Sequence, residues 1–365
     1  MSGITAARWM LYGANGYTGE LIAREAARRG LEPRLAGRNA QAVAQLGREL
    51  GFETRGFGLE DPTVVARSLE GVRAVLNCAG PFSSTAGPMI AACIATGVHY
   101  LDITGEIDVF EAAQARDVEA RASGVVLCPG AGFDVVPTDC LAAELKQALP
   151  GATYLALGFD SRTRPSRGTA RTRVEGMALG GRIRSSGRIC RVAHAFRERA
   201  IDFGDGVKTA TTIPWGDVST AFRTTGIPNI EVYFPMSQRQ IAALRRLNRV
   251  APLLKLGVVQ SFLKNRASGG VPGPNAAARA SSPTFVWGEV HAPSGELCTG
   301  RIKVANGYDV TVQSALGLLT LVLEREGHGS YFTPSQLAGP RFVESLEGSG
   351  RMSLEYGRAW EPRRS

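Results

Sequence analysis

Gly13-Ala14-Asn15-Gly16-Tyr17-Thr18-Gly19 has the composition of a phosphate cradle. The stretch follows a short apolar run and opens a helical pattern, the context in which a glycine-rich turn holds a dinucleotide. Gly13 permits a tight turn, Gly16 lets backbone N–H groups approach a pyrophosphate, and Gly19 lets the helix lie close on the strand. The helix N-terminus adds partial positive charge and unpaired donors. Asn15 stands where the commonest fingerprint has a further glycine, so the spacing is G-x-x-G-x-x-G. Asn15, Tyr17 and Thr18 complete the expected contacts, although a core aromatic at a helix start explains Tyr17 equally well.

The end of the second strand discriminates between cofactors. A site for NAD normally has an acidic residue there to bond the ribose 2′-hydroxyl. Here the segment reads Leu35-Ala36-Gly37-Arg38-Asn39, without a carboxylate. Arg38 can fork onto a 2′-phosphate and Asn39 can add a donor, which predicts NADPH (NADP+) rather than NADH. Asn77-Cys78-Ala79-Gly80-Pro81-Phe82 ends the fourth strand and is expected to border the ribose and nicotinamide. Asn77, small Ala79 and Gly80 leave room for a sugar, while Pro81 and Phe82 can wall one ring face.

Hydride transfer needs the nicotinamide held against an acceptor, with a proton donor in hydrogen-bond reach. Asp102, Glu106 and Asp134 fall just beyond strand ends, on the edge where a cofactor would lie. Asp134, in a glycine-rich turn after Phe133, is the first choice to touch cofactor or substrate. Each has a structural use too: the aspartates can bond backbone N–H groups and Glu106 can cap a helix. Trp215 either walls a cleft or fills the core. No tyrosine is followed by lysine four residues later, against the Tyr-x-x-x-Lys pair of short-chain dehydrogenases. The histidines form no cluster with metal-ligand spacing, so no metal is expected.

These residues need a scaffold. A chain of 365 residues, 44% hydrophobic and 21% charged, is expected to form about two domains. Up to residue 150, short apolar runs alternate with helical patterns, as in βαβ units. Strands are expected at Arg8–Tyr12, Arg34–Ala36, Arg55–Gly58, Ala74–Cys78, His99–Ile103 and Val125–Cys128. The helical stretches between them include Ala86–Thr96, with Pro88 near its start, and Ile107–Ala122. Residues 151–309 form a second domain richer in strands, among them Arg182–Arg191 and Thr284–His291, with a loop at Ser268–Pro283. A helix over 310–326 is expected to return to the first domain, and 327–365 is an extension.

The net charge of +9 is uneven. Residues 161–200 carry eleven arginines against Glu175 and Glu198, and residues 237–265 add six basic side chains and no acid. This predicts a local basic surface, either merely solvated or attracted to an anionic ligand, partner protein or lipid. No nucleic acid partner is expected, because no recognition motif accompanies the charge. From Ser237 to Lys264 apolar residues recur at helical spacing opposite Arg245, Arg246 and Arg249. Such a helix either packs on the second domain or lies on an anionic membrane surface. Scattered cysteines and the lack of a signal-like or membrane-spanning run point to the cytoplasm.

The glycine turn and the Asn77–Phe82 segment resemble those of the saccharopine dehydrogenase-like oxidoreductases, whose members include trans-acting enoyl reductases. His99-Tyr100-Leu101-Asp102-Ile103-Thr104-Gly105-Glu106 and Gly130-Ala131-Gly132-Phe133-Asp134-Val135-Val136-Pro137-Thr138-Asp139 are similar to two further signatures of that family. Pro214-Trp215-Gly216-Asp217 and Thr225-Gly226-Ile227-Pro228-Asn229 resemble its second-domain pattern. The resemblance implies an α/β fold: an N-terminal Rossmann domain with a doubly wound parallel sheet, then an α+β domain with a mixed or antiparallel sheet. It also implies NAD(P)H-dependent reduction of C=C or C=N bonds. The expected substrate is a hydrophobic small molecule or carrier-bound acyl group with an activated C=C bond. Imine reduction is the alternative, and a catalytically silent nucleotide-binding protein docked to a membrane or enzyme complex is another. An acidic carrier protein or a membrane surface is the expected peripheral contact. The oligomeric state is left open, a dimer being compatible.

Overall fold

Trp9–Tyr12 (β1) is buried at all four positions, as a parallel strand covered on both faces must be. In the computed structural model, which describes residues 9–162, 166, 180–254, 273–325 and 327–358, the chain divides into two units. One is residues 1–134 with 308–338, the other residues 135–307 with 339–365.

In the first unit β1 is followed by α1 (Tyr17–Arg28), β2 (Arg34–Gly37), α2 (Ala40–Leu50), β3 (Thr54–Gly56), α3 (Pro62–Ser68), β4 (Ala74–Asn77) and α4 (Phe82–Thr96). Then come β5 (His99–Asp102), α5 (Ile107–Ala115), α6 (Asp117–Ala122) and β6 (Val126–Cys128). A further strand, β15 (Ser330–Tyr331), pairs with β6 and completes a seven-stranded parallel sheet ordered β15-β6-β5-β4-β1-β2-β3. The order reverses direction at β1, between β4 and β2, which opens a crevice at the carboxyl ends of the strands. Asp117 anchors β15 by accepting from the Ser330 hydroxyl at 2.6 Å and the Tyr331 N–H at 2.7 Å.

Two helices depart from the sequence expectation. α4 starts at Phe82 rather than Ala86, so Pro88 lies inside the helix, where it withholds one backbone hydrogen bond. The stretch 107–122 breaks at Arg116 into α5 and α6.

The second unit begins with α7 (Val136–Ala148), which the sequence reading had placed in the first domain. Its strands are β7 (Tyr154–Ser161), β8 (Gly181–Ser185), β9 (Arg188–Val192), β10 (Glu198–Asp202), β11 (Val207–Thr212), β12 (Asn229–Pro235), β13 (Thr284–His291), β14 (Glu296–Val304) and β16 (Ser353–Arg358). They form a nine-stranded mixed sheet with the path β10-β11-β12-β7-β13-β14-β16, parallel only at β7–β12. Gly288 and Gly300 face each other on β13 and β14 because α7 lies there. A Cβ on either would come within 2.7 Å of a Leu145 or Leu141 methyl.

The stretch Arg182–Arg191 is a hairpin rather than one strand. Ser186 and Gly187 at its tip have φ of 48° and 77°, the twist a two-residue turn requires. Residues 276–280 within the expected loop form a short helix, α10 (Ala276–Ala280), capped by Asn275, while 268–272 lie outside the described residues. Between β11 and β12 runs α8 (Asp217–Thr225), and after β12 comes α9 (Gln238–Leu254).

The arginine-rich segment is less of a surface than its charge suggests, although residues 163–165 and 167–179 lie outside the description. Arg182 and Arg184 are buried, and Arg184 donates to the Val218 and Gly187 carbonyls while lying 4.3 Å over the Phe222 ring. Arg197 pairs with Glu231 and Arg199 with Glu289, at 2.7 and 2.9 Å. In α9 the apolar side faces its own unit: Ile241 is buried, and the Asn248 amide bonds both the N–H and the carbonyl of His194. Arg239, Arg246 and Arg249 stay exposed, and Arg245 pairs with Glu198. Residues 255–264 of the expected helix lie outside the description. No helix among the described residues is long and apolar enough to cross a membrane.

Candidate functional site

Gly13 ends β1 with φ +82°, a conformation that favours glycine, and a Cβ there would lie 2.7 Å from the Ala79 nitrogen. The N–H groups of Gly13 and Ala14 both donate to the Ala36 carbonyl, at 2.8 and 3.1 Å, tying the turn to β2. A Cβ on Gly19 would sit 2.3 Å from the Gly13 carbonyl oxygen, so the helix can approach only without one. Gly16 is the N-cap of α1 and supplies no side-chain cap to the first-turn N–H groups. Asn15 and Gly16 are exposed, whereas Tyr17 and Thr18 are half-buried. Asn15 reaches toward β2, its Oδ1 3.1 Å from the point a Gly37 Cβ would occupy. A bare backbone at the points of closest approach, beside a helix N-terminus, fits a pyrophosphate.

Arg38 follows β2 and is exposed, with no ion pair among the described residues. It neighbours Tyr12, whose phenol burial pushes up to about 12, with Glu60 adding to the rise and the Arg38 guanidinium opposing it. Asn39 has structural employment: its Oδ1 caps α2 by accepting from Ala42 N–H at 3.1 Å.

At the end of β4, Asn77 is fully buried and shapes the next turn by accepting from Ala79 N–H at 3.0 Å. Thr85 closes the same turn, donating to the Ala79 carbonyl at 2.6 Å. Gly80 is exposed and Pro81 half-exposed, but Phe82 is only 8% exposed and packs in the hydrophobic core. The expected aromatic wall at Phe82 is therefore corrected, since as first residue of α4 its ring turns inward.

The three candidate carboxylates have three different fates. Asp102 is wholly buried: Oδ2 accepts from the Tyr100 hydroxyl at 2.7 Å, and Oδ1 from Thr104 and Gly130 N–H at 2.9 Å each. Asn77 donates to that same Tyr100 hydroxyl at 3.3 Å, so one buried chain links the ends of β4, β5 and β6. Burial pushes the Asp102 carboxyl up to about 6, against the pull of these hydrogen bonds. Glu106 caps α4, accepting from Phe82 and Ser83 N–H at 2.9 and 2.8 Å. Both hold loops in place. Asp134 is half-buried in its turn, packed beside Gly105, where a Cβ would lie 3.0 Å from its own. Trp215, in the second unit, packs on Phe159 with ring centroids 4.7 Å apart.

Comparison with known proteins agrees with this geometry. The family model for the saccharopine dehydrogenase NADP-binding domain matches residues 9–128. Over these residues the chain is similar to that NADP-binding domain. The dinucleotide expected from Arg38 is thus the one this domain family binds. Human saccharopine dehydrogenase-like oxidoreductase is 31% identical over 150 residues, covering 36% of this chain and 35% of that protein. A trans-acting enoyl reductase of Mycobacterium bovis is 32% identical over 144 residues, covering 36% and 33%. The chain spans about a third of the length of these curated relatives. Apo saccharopine dehydrogenase (L-Glu forming) of Saccharomyces cerevisiae shares the fold over 96% of this chain and 100% of that one, with TM-score 0.63 at 9% identity.

The NADP-binding domain also depends on residues that sequence reasoning passed over. α11 (Gly307–Glu324) belongs to the first unit from Tyr308 onward. Its Thr311 Oγ1 accepts from Phe133 N–H at 2.9 Å, and the Ser314 hydroxyl donates to the Ala131 carbonyl at 2.8 Å. Tyr308 meets Tyr17 edge to face. The apolar pattern of 310–326 predicted a returning helix, but nothing in it marks which side chains reach the Ala131–Phe133 turn and Tyr17.

Proposed function

We propose that this protein is an NADPH-dependent oxidoreductase that reduces an activated C=C bond of a hydrophobic, carrier-bound acyl substrate. The observation that carries the cofactor half is Arg38, a guanidinium without an ion pair among the described residues, placed where an NAD site has a carboxylate. When bound, NADPH would supply a hydride to one carbon of the double bond, and a proton completes the other. The chain's own residues bind and orient: the Gly13–Gly19 turn receives the pyrophosphate, Arg38 the 2′-phosphate, and the Asn77–Pro81 turn borders the nicotinamide side. Asp134, half-buried in the glycine-rich turn beside Gly105, touches cofactor or substrate. The C=C assignment is supported by the trans-acting enoyl reductases among the relatives.

Stopped-flow loss of nicotinamide absorbance tests it, with a panel of enoyl thioesters on free pantetheine and on carrier protein, and of keto acid–amine pairs. Turnover of enoyl thioesters is expected, faster on carrier protein. Turnover of keto acid–amine pairs alone would replace the assignment with imine reduction. NADPH binding without turnover of any acceptor would leave a nucleotide-binding protein without this activity.

A further inference from the structure

The dinucleotide turn is supported by a residue outside the matched domain. Tyr17, the first residue of α1, meets Tyr308, the second residue of α11, with ring centroids 5.0 Å apart and planes at 82°. That edge-to-face geometry is favourable because the positive ring edge meets the negative ring face. Tyr308, Thr311 and Ser314 recur every three residues along α11 and so share one broad side of the helix. Thr311 and Ser314 hold the turn from Ala131 to Phe133, and Gly132 packs closely there, since a Cβ on it would lie 3.0 Å from the Thr311 methyl. That turn is tied through Gly130 to Asp102. One side of α11 therefore grips two loops at the carboxyl end of the sheet: the turn that leads to Asp134 and the first turn of α1.

We propose that Tyr308 is a positioning residue of the dinucleotide site, holding Tyr17 and with it the first turn of α1 in the orientation that receives the pyrophosphate. The inference rests on the NADP reading of the Gly13–Gly19 turn and extends that site beyond residue 128, where the matched domain ends. Tyr308 acts on the phosphates through Tyr17 and not by direct contact. Its effect therefore belongs to ligands that carry the pyrophosphate and is absent for the adenosine end held by Arg38.

Titrations of the full chain with NADPH and with adenosine 2′-monophosphate, which lacks the pyrophosphate, separate these ends. Tyr308→Ala should weaken NADPH about two- to tenfold, the range an edge-to-face pair corresponds to, and leave adenosine 2′-monophosphate unchanged. Tyr308→Phe keeps the ring and should bind NADPH within about twofold of the parent. Tyr17→Leu and Tyr308→Leu, singly and together, keep apolar bulk should the alanine variant fail to fold. Their effects on NADPH should be less than additive, because either substitution alone breaks the pair. NADPH binding unchanged in Tyr308→Ala, equal weakening of both ligands, or strict additivity would each overturn the proposal. A parent protein that binds no pyridine nucleotide would instead overturn the cofactor reading beneath it.

Discussion

Arg38 and Asp102 illustrate how differently two charged residues near one crevice behave. Arg38 is exposed and unpaired among the described residues, so its guanidinium is available to an incoming phosphate without first breaking an ion pair. Arg38→Ala should weaken NADPH about ten- to hundredfold, the loss of a charge-assisted contact of roughly 1.5–3 kcal/mol, and leave NADH nearly unchanged. Isothermal titration with both nucleotides reads this directly; equal losses would remove Arg38 from the site. Asp102 is the opposite case, buried and satisfied from within. Its carboxyl titrates at about 6 in the folded state and near 4 in an unfolded chain, so folding favours the protonated form. Stability is then lost as pH rises from about 4 to about 6, by about 2–3 kcal/mol, and is flat above. Denaturant unfolding across that range should show this component in the parent and not in Asp102→Asn. A variant with the parent's pH profile would assign the dependence elsewhere.

Among the elements, α4 and α11 place the loops proposed to border the nucleotide. α4 owes its early start to Glu106, whose two oxygens occupy the first two N–H groups of the helix. Glu106→Ala should cost about 1–2 kcal/mol, as loss of a good N-cap does, and Glu106→Gln less, since the amide keeps one acceptor. Thermal melts should fall by about 2–4 °C per kcal/mol for a unit of this size. A loss of activity with unchanged melting would instead restore Glu106 as a chemical participant. The N-terminus of α4 was misread because the residue that caps it lies 24 positions downstream, beyond any local spacing rule. The hairpin at Ser186–Gly187 was missed for a related reason. Its turn is only Ser186-Gly187, with arginine–isoleucine pairs on both sides that read as one continuous strand.

Across the whole molecule, charge and connectivity are both divided by unit. The first unit holds 13 basic and 18 acidic residues and the second 29 and 15, so their net charges are −5 and +14. Part of the second unit's arginine excess is spent internally, on Glu231, Glu289 and backbone carbonyls, and part stays outward on α9. The first unit is discontinuous, and α11 and β15 reach it from beyond residue 307. Residues 1–134 alone would expose what α11 and β15 cover, and they are expected to lack a cooperative thermal transition. The same segment joined by a flexible linker to residues 308–338 should regain one, as calorimetry would record. Cooperative melting of 1–134 alone would show α11 to be dispensable to the domain.

Local pattern was enough for the βαβ alternation, the glycine turn, the lack of a carboxylate after β2 and the returning helix. Each of these is a property of consecutive residues, set by periodicity, backbone freedom or the charge at one position. Tertiary structure alone decided which partners Glu106 bonds, because Phe82 and Ser83 lie 24 and 23 positions away. Tertiary structure also gives Asp102 the Gly130 N–H, whereas its Tyr100 and Thr104 partners are only two positions away. It also decided that Arg184 is a core residue and that Tyr308 lies against Tyr17, 291 positions away. Burial and pairing depend on which distant segments meet, and no spacing rule along the chain encodes that meeting.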